Sequence, residues 1–353
     1  MSYREKMSIK KGLILNSVFI LLSVFVLLSA QYLARYPDLA ERYASDVFPL
    51  LTRPFVFIAN LIPISMTEVF VVSAALSSPF IIVWLVYRFV KSRHKKRFAV
   101  RGLTIITAVI FCLTTIFNLF HGYNYSRYPL KKTLRIDQDT TDQSEEALVE
   151  VLEWIVRGLE ESVSELDEDY NGHTLLLTDR HTMFADASEA MDIVAEGVND
   201  AMSGHYVRPK PVALSSRWSY TQIAGMYNPF FLEANINIDI PEFRLPMVAS
   251  HEIAHVRGIA QEGDANMAAF LACISSPRAD FRYSGFLFAY SYIAHDLYMA
   301  NSDEYFKIIA DVPDRVHTDL LASAEYWNQF EGKVAEVSTQ VNDSYLRINR
   351  QEE

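Results

Sequence analysis

The sequence predicts a mostly helical α+β fold in two parts, with three transmembrane helices in residues 1–130 and a water-soluble domain holding a small sheet in residues 131–353. Charge divides the chain at that point. Residues 1–130 hold 15 Lys+Arg and 5 Asp+Glu, a balance of +10, whereas residues 131–353 hold 17 and 38, a balance of −21. The apolar runs of the first part are each near the ~20 residues that cross a bilayer. In the second part, helical periodicity is interrupted by one stretch that alternates as a strand does. A basic, apolar front and an acidic back suit a membrane anchor followed by an aqueous domain, and argue against nucleic acid as a partner of the acidic part.

Taken in order, the first run covers residues 12–33 and contains LILNSVFILLSVFVLLSA without a charge. A cleaved leader is the competing reading, supported by Lys10-Lys11 and Ser29-Ala30 but opposed by the length of the run and by Leu28 where a small residue is needed. The second run, 67–90, starts with Glu68 at the interface, and the third covers 102–120. Arg4, Lys6, Lys10 and Lys11 precede the first run, and six basic residues lie between Lys91 and Arg101, whereas residues 34–66 carry three bases and three acids. Positive-inside bias therefore puts the N-terminus in the cytoplasm and the acidic domain outside it. Between the first two runs, Tyr36 to Ser65 is apolar but broken by Pro37, Pro49, Pro54 and Pro63, which predicts short helices along the outer surface. The two cysteines, Cys112 and Cys273, sit in apolar runs, so they form no disulfide framework and neither is a nucleophile.

After the third run, His121 to Leu130 (HGYNYSRYPL) reads as an aromatic belt, and residues 137–143 as a polar linker. Leu148, Val151, Leu152, Ile155, Leu159, Val163 and Leu166 recur at helical spacing. Residues 173–178 and 212–215 read as short strands and 185–202 as a helix. Residues 229–240 alternate Leu232, Ala234, Ile236 and Ile238 with Glu233, Asn235, Asn237 and Asp239, as in a half-exposed strand. Residues 281–298 and 319–347 are helical, with aromatic residues facing a core.

Chemistry concentrates in Val248 to Asn266, VASHEIAHVRGIAQEGDAN. On a helix, His251 and His255 lie one above the other and can grip one metal ion, while Glu252 stands where a carboxylate can relay a proton from metal-bound water. This is the HExxH pattern of zinc peptidases, and it implies one Zn2+. Pro246 starts the helix and Gly258 ends it. A catalytic zinc keeps three protein ligands, so the third comes from the acids that follow, Glu262 or alternatively Asp264. The stretch is similar to gluzincin sites, in which a ligand glutamate is followed four residues later by an aspartate that orients a ligand histidine; Glu262 and Asn266 stand in those places. Gly258 also matches the glycine of the metzincin pattern, but that class is disfavoured because Gln261, a poor zinc ligand, stands where its third histidine would be.

Tyr290, Tyr292 and His295 are candidate donors to the oxyanion, each with core packing as the simpler reading. His173, His181, His205 and His317 belong to no pattern. The absence of a cysteine cluster argues against a structural zinc site, and the lack of buried charge in the runs argues against a transporter.

With these residues in view, the chain resembles the bacterial membrane family called domain of unknown function 3810, itself zincin-like and similar to gluzincin peptidases. The resemblance covers nearly the whole chain. It rests on Ile62 to Ser65, Gly122 to Tyr125, Gly225 to Asn235, Ser250 to His255 and Glu262 to Asn266. It implies an integral membrane metallopeptidase with its site outside the cytoplasm, acting on a peptide or protein substrate. An edge strand of the zincin fold that carries Glu233, Asn235 and Asn237 would pair with the substrate backbone. The competing expectation is a catalytically inactive protein of the same fold that binds or senses peptide or cell-envelope ligands. Asp264 stands where relatives carry glutamate, and a further helix is expected beyond Glu353. The sequence assigns no oligomeric state.

Overall fold

A computed structural model describes residues 3–136 and 144–349; the polar stretch 137–143 lies outside the described residues. The three apolar runs become α1 (Tyr3–Leu33), α4 (Met66–Lys91) and α5 (Lys95–Phe120), each long and apolar enough to cross a membrane. These three helices fit a membrane protein. α1 and α5 pack together through stacked Phe19 and Phe111 rings 5.9 Å apart and a hydrogen bond from Thr107 Oγ1 to Asn16 Oδ1 of 3.1 Å. Beyond Thr67, α4 has no buried residue.

Between α1 and α4 lie α2 (Pro37–Arg42), a π turn (Tyr43–Val47) and α3 (Phe48–Leu61), so the proline-broken segment is indeed a set of short helices. α3 buries Phe48, Thr52, Val56 and Ala59 on one face and leaves Leu50, Phe57, Ile58 and Leu61 exposed on the other. That is the division of an interfacial helix.

The turn from α3 to α4 is fastened by two buried charges of opposite sign. Lys210 Nζ donates to the carbonyls of Ala59, at 2.5 Å, and Ile62 at the C-terminal end of α3. Glu233 accepts from the backbone N–H groups of Met66 and Thr67, at 3.2 and 3.0 Å, at the N-terminal end of α4. Cation on carbonyls and carboxylate on N–H groups both follow the helix dipole. Ser65 Oγ caps the same end by accepting from the Glu68 N–H at 2.9 Å.

Both charges belong to a three-stranded sheet of order β1-β3-β2: β1 (Lys210–Pro211) is parallel to β3 (Glu233–Ile236), and β2 (Gly225–Asn228) is antiparallel to it. Three sequence expectations change here. Residues 212–215 are not a strand: β1 ends at Pro211 and α9 (Ser215–Trp218) begins at Ser215. Residues 173–178 form only an isolated bridge from Thr174 to Glu168, because the N–H groups of Thr174 and Leu177 are taken by the carboxylates of Asp319 and Asp280, at 3.0 Å each. The 229–240 strand contracts to β3, and all four of its residues are buried. β3 is the middle strand, so the polar side chains in its alternation meet helix ends and hydrogen-bond partners instead of water.

Around the sheet stand α6 (Leu130–Thr133), α7 (Glu145–Ser164), α8 (Arg180–Gly197), α10 (Leu245–Val256), α11 (Glu262–Ser275), α12 (Ala279–Ala300), α13 (Ser302–Ile309), α14 (Asp314–Asn328) and α15 (Lys333–Ile348). α7 buries Leu152, Ile155, Leu159 and Val163, as its periodicity predicts. α8 starts before residue 185 because Asp179 caps it, accepting from the N–H groups of His181 and Thr182. The helix expected over 319–347 is two, parted by Gly332 at φ +145°. One core cluster joins α8, β3, α10 and α11 and reaches back to Val56 and Leu130; a second joins α7, α12 and α13. α10 runs through the first and is buried along most of its length.

Removing one charge from the joint strands the other. Glu233→Ala is expected to cost roughly 3 kcal/mol and to expose the 62–66 turn to protease. Denaturant unfolding in detergent checks this, and a change below ~0.5 kcal/mol would show that the joint holds nothing.

Candidate metal centre

Arg244, Met247, Val248, His251, Glu252 and His255 recur at helical spacing and form one wall of a cavity of about 750 Å³. Pro246, in the first turn of α10, begins the helix whose other faces are in the core.

The helix stops at Gly258, which has φ +89°. The Gly258 N–H donates to the His255 carbonyl and the Ile259 N–H to the Ala254 carbonyl, both at 3.0 Å, the pairing of a Schellman turn. No side chain fits here, since a Cβ on Gly258 would lie 2.9 Å from the Phe48 ring. The turn sends the Ile259 carbonyl back to accept from His255 Nδ1 at 2.8 Å. With Nδ1 as donor, the neutral His255 ring has its lone pair on Nε2.

α11 then brings in Glu262. His251 Nε2 and His255 Nε2 are 3.0 Å apart, and Glu262 Oε2 is 3.2 Å from the first and 3.5 Å from the second. Ligand atoms held roughly 2.0–2.1 Å from a tetrahedral zinc are about 3.3 Å from one another, so this triangle fits the ion without rearrangement. Among the described residues these three are the cluster whose donor atoms converge in this way. Burial alone would lower the His255 pKa, but the hydrogen bond and charge of Glu262 override it and raise it to about 9. Burial would raise Glu262, and the two imidazoles instead hold it well below the usual carboxylate range.

Glu252 lies beside the triangle, with Oε2 buried and without a hydrogen-bond partner among the described residues. Burial raises its pKa, opposed by the neighbouring imidazoles. Its side chain fills the space over Gly225, where a Cβ would fall 2.5 Å from Oε1. Gly225 and Asn228 bound β2, which pairs with β3 on one side and lines the cavity on the other.

The remaining wall comes from distant parts of the chain. His121, just past the end of α5, sets its ring edge-on to His255 at 5.9 Å and hydrogen-bonds through Nε2 to Tyr125 at 2.8 Å. Burial, helped by the charge of His255, depresses its pKa to about 3 and keeps the ring neutral. The Tyr125 hydroxyl is 2.7 Å from that of Tyr345, which brings α15 over the cavity.

Residues 43–353 match the family described as Protein of unknown function (DUF3810). The chain belongs to this family. The DUF3810 match takes in α4, α5 and every residue of the triangle. No curated protein and no solved structure matches the chain.

The placement of the sequence candidates within this DUF3810 chain is uneven. His251, Glu252, His255 and Glu262 come together. Asp264, two residues on from Glu262, points to the opposite side of α11, where it accepts from the Leu130 N–H near Arg127. Asn266 lines the cavity but hydrogen-bonds neither imidazole among the described residues; the Ile259 carbonyl holds His255 instead. Glu233, Asn235 and Asn237 are buried away from the cavity: Glu233 serves α4, Asn235 accepts from Ser65 Oγ at 2.6 Å, and Asn237 donates to Ser219 Oγ at 2.9 Å. β3 has both edges paired, so the strand with an edge towards the site is β2.

The oxyanion candidates are misplaced as well. α12 lines the cavity through Ser284, Leu287 and Phe288 and then runs past it. Tyr290 turns into the second core cluster, Tyr292 is exposed against Phe288, and His295 is exposed. Sequence reasoning missed His121, Tyr345 and the bordering role of β2, although Gly225 to Asn228 is among the stretches that carry the family resemblance.

Purified protein is expected to bind one zinc ion. Glu262→Ala should lose more than the roughly 10–100-fold in affinity typical of outer-shell partners, while Asp264→Ala stays near wild type; chelator competition separates them. In the metal-free protein His255 is protonated below about pH 9, so zinc must displace a proton. Apparent affinity should rise with pH by up to about tenfold per unit from this group, and level off near pH 9. The same raised pKa stabilises metal-free protein fully below the unfolded histidine value of ~6.5, and that contribution is lost as pH rises through about 9. A flat zinc affinity between pH 7 and 9 would contradict the assignment.

Proposed function

We propose that this protein is a membrane-anchored, zinc-dependent endopeptidase of zincin type, with its site on the extracytoplasmic side. The observation that carries this reading is the triangle of His251, His255 and Glu262 with the buried carboxylate of Glu252 beside it. A zinc ion held there supplies a water of lowered pKa and polarises a peptide carbonyl.

Glu252 takes a proton from the attacking water and returns it to the departing amine. Its burial suits both steps, because a raised carboxyl pKa brings the protonated and ionised forms closer in energy near neutral pH. The outer edge of β2, where the Tyr227 N–H meets the Glu252 carboxylate, pairs with an extended peptide and holds its backbone beside Glu252. Tyr345 is the phenol on the cavity wall near Glu262 and takes the role of donor to the carbonyl oxygen. His121, buried and neutral, packs the His255 ring from the membrane side.

Two observations support the sidedness. The ends of α1, α4 and α5 nearest the domain are tied to it or to one another: Ser29 to Tyr123, Glu233 to α4, and the Tyr227 hydroxyl to the Phe120 carbonyl at 2.8 Å. The basic residues between Lys91 and Arg101 lie at the opposite ends, where positive-inside bias places the cytoplasm.

Glu252→Gln is expected to retain one zinc and to lose about 10²–10⁴-fold in kcat/KM on any peptide the wild type cleaves. Metal analysis and a peptide-library digest, run side by side, decide it. Wild-type turnover by the zinc-loaded variant would end the peptidase reading.

A further inference from the structure

The metal centre is bounded by a membrane helix. Phe117, in the last turn of α5, lines the cavity, as does His121 just beyond. The Phe117 ring is 6.5 Å from that of Tyr345, and the His121 ring is 5.9 Å from that of His255.

The helix length sets the depth of these residues. α5 has 26 residues, so at ~1.5 Å each it spans about 39 Å, against a hydrocarbon core of ~30 Å. Its basic first turns, Lys95 to Arg101, belong at the cytoplasmic surface. The ~20 residues that follow fill the core, which ends close to His121. Phe117 is then inside the outer margin of the hydrocarbon, and His121 lies among the lipid headgroups. Since His255 packs against His121, the triangle sits at headgroup level. α3 supports the same depth, because its exposed face of Leu50, Phe57, Ile58 and Leu61 flanks the helix ends and needs lipid to cover it.

We infer that the substrate is the juxtamembrane segment of another membrane-anchored polypeptide, cleaved on the order of two to five residues beyond its own span. An extended chain advances ~3.3 Å per residue, so a bond held about one residue-pair's length above the hydrocarbon edge lies within that distance of the span. The apolar wall that includes Phe117, Met226 and Phe288 suits the interfacial residues of such a segment. Cleavage rests on the peptidase reading above, whereas the depth of the site and the class of segment it admits do not.

The test uses full-length, zinc-loaded protein in vesicles of phosphatidylethanolamine and phosphatidylglycerol. Two peptides carry the same span and the same cleavable segment. In one the segment adjoins the span; in the other a stiff Pro-rich spacer of 20 residues lifts it by ~60 Å. Because both are anchored, surface concentration is equal. The adjoining segment should be cut at least tenfold faster. A photo-cross-linking amino acid in place of Phe230, combined with Glu252→Gln, should capture the adjoining segment and not the lifted one. Equal cutting, or equal capture, overturns the inference, as does capture of neither. Capture of the adjoining segment alone, without any cutting by the wild type, leaves the substrate class standing and removes the peptidase reading.

Discussion

The site depends first on a turn that has no room for a side chain. α10 must end directly after His255 and the chain must reverse within a few residues for Glu262 to reach the same point in space. Gly258 permits this at φ +89°, with the Phe48 ring pressed against it. Arg127 donates to the Gly258 carbonyl at 3.1 Å, and Gln261 to the Tyr125 carbonyl at 3.2 Å. Two segments, the start of α3 and the stretch after α5, therefore form the bed of the turn. Its returning carbonyl, on Ile259, fixes which nitrogen of His255 faces Glu262. The orientation of the His255 ring is thus set by backbone and by residues next to the membrane helices.

The parts of this site that are legible in sequence are the local ones. His251, Glu252 and His255 share a helix, whose period alone brings the histidines together. Glu262 follows because a glycine and a short turn leave it little choice of position. His121 and Tyr345 lie far apart in the chain, and nothing in the local pattern of either stretch points to His255. Their placement is decided by how α5 and α15 pack.

The alternation in residues 229–240 is instructive for a different reason. Polar residues at every second position usually mean water on that face. Here Glu233 and Asn235 face Ser65, Met66 and Thr67, whose unpaired helix-end groups need partners as much as they need solvent. The period correctly marks a polar environment; it does not say whether that environment is water. The apolar run at 173–178 fails as a strand by the same logic, since two carboxylates claim the N–H groups a neighbouring strand would have used.

Glu233 and Lys210 stand on adjacent strands, one serving the start of α4 and the other the end of α3. α4 buries no residue beyond Thr67, and its first turns are held by this joint, by Glu68, which accepts from the N–H groups of Ala213 and Leu214, and by Phe70 against Phe231. Bilayer thickness sets the tilt of a membrane helix, and the end of α4 nearest the domain is hydrogen-bonded to β3. β2 is hydrogen-bonded to β3 and carries Gly225, on which Glu252 rests. One strand, β3, thus stands between the start of a membrane helix and the strand on which Glu252 rests.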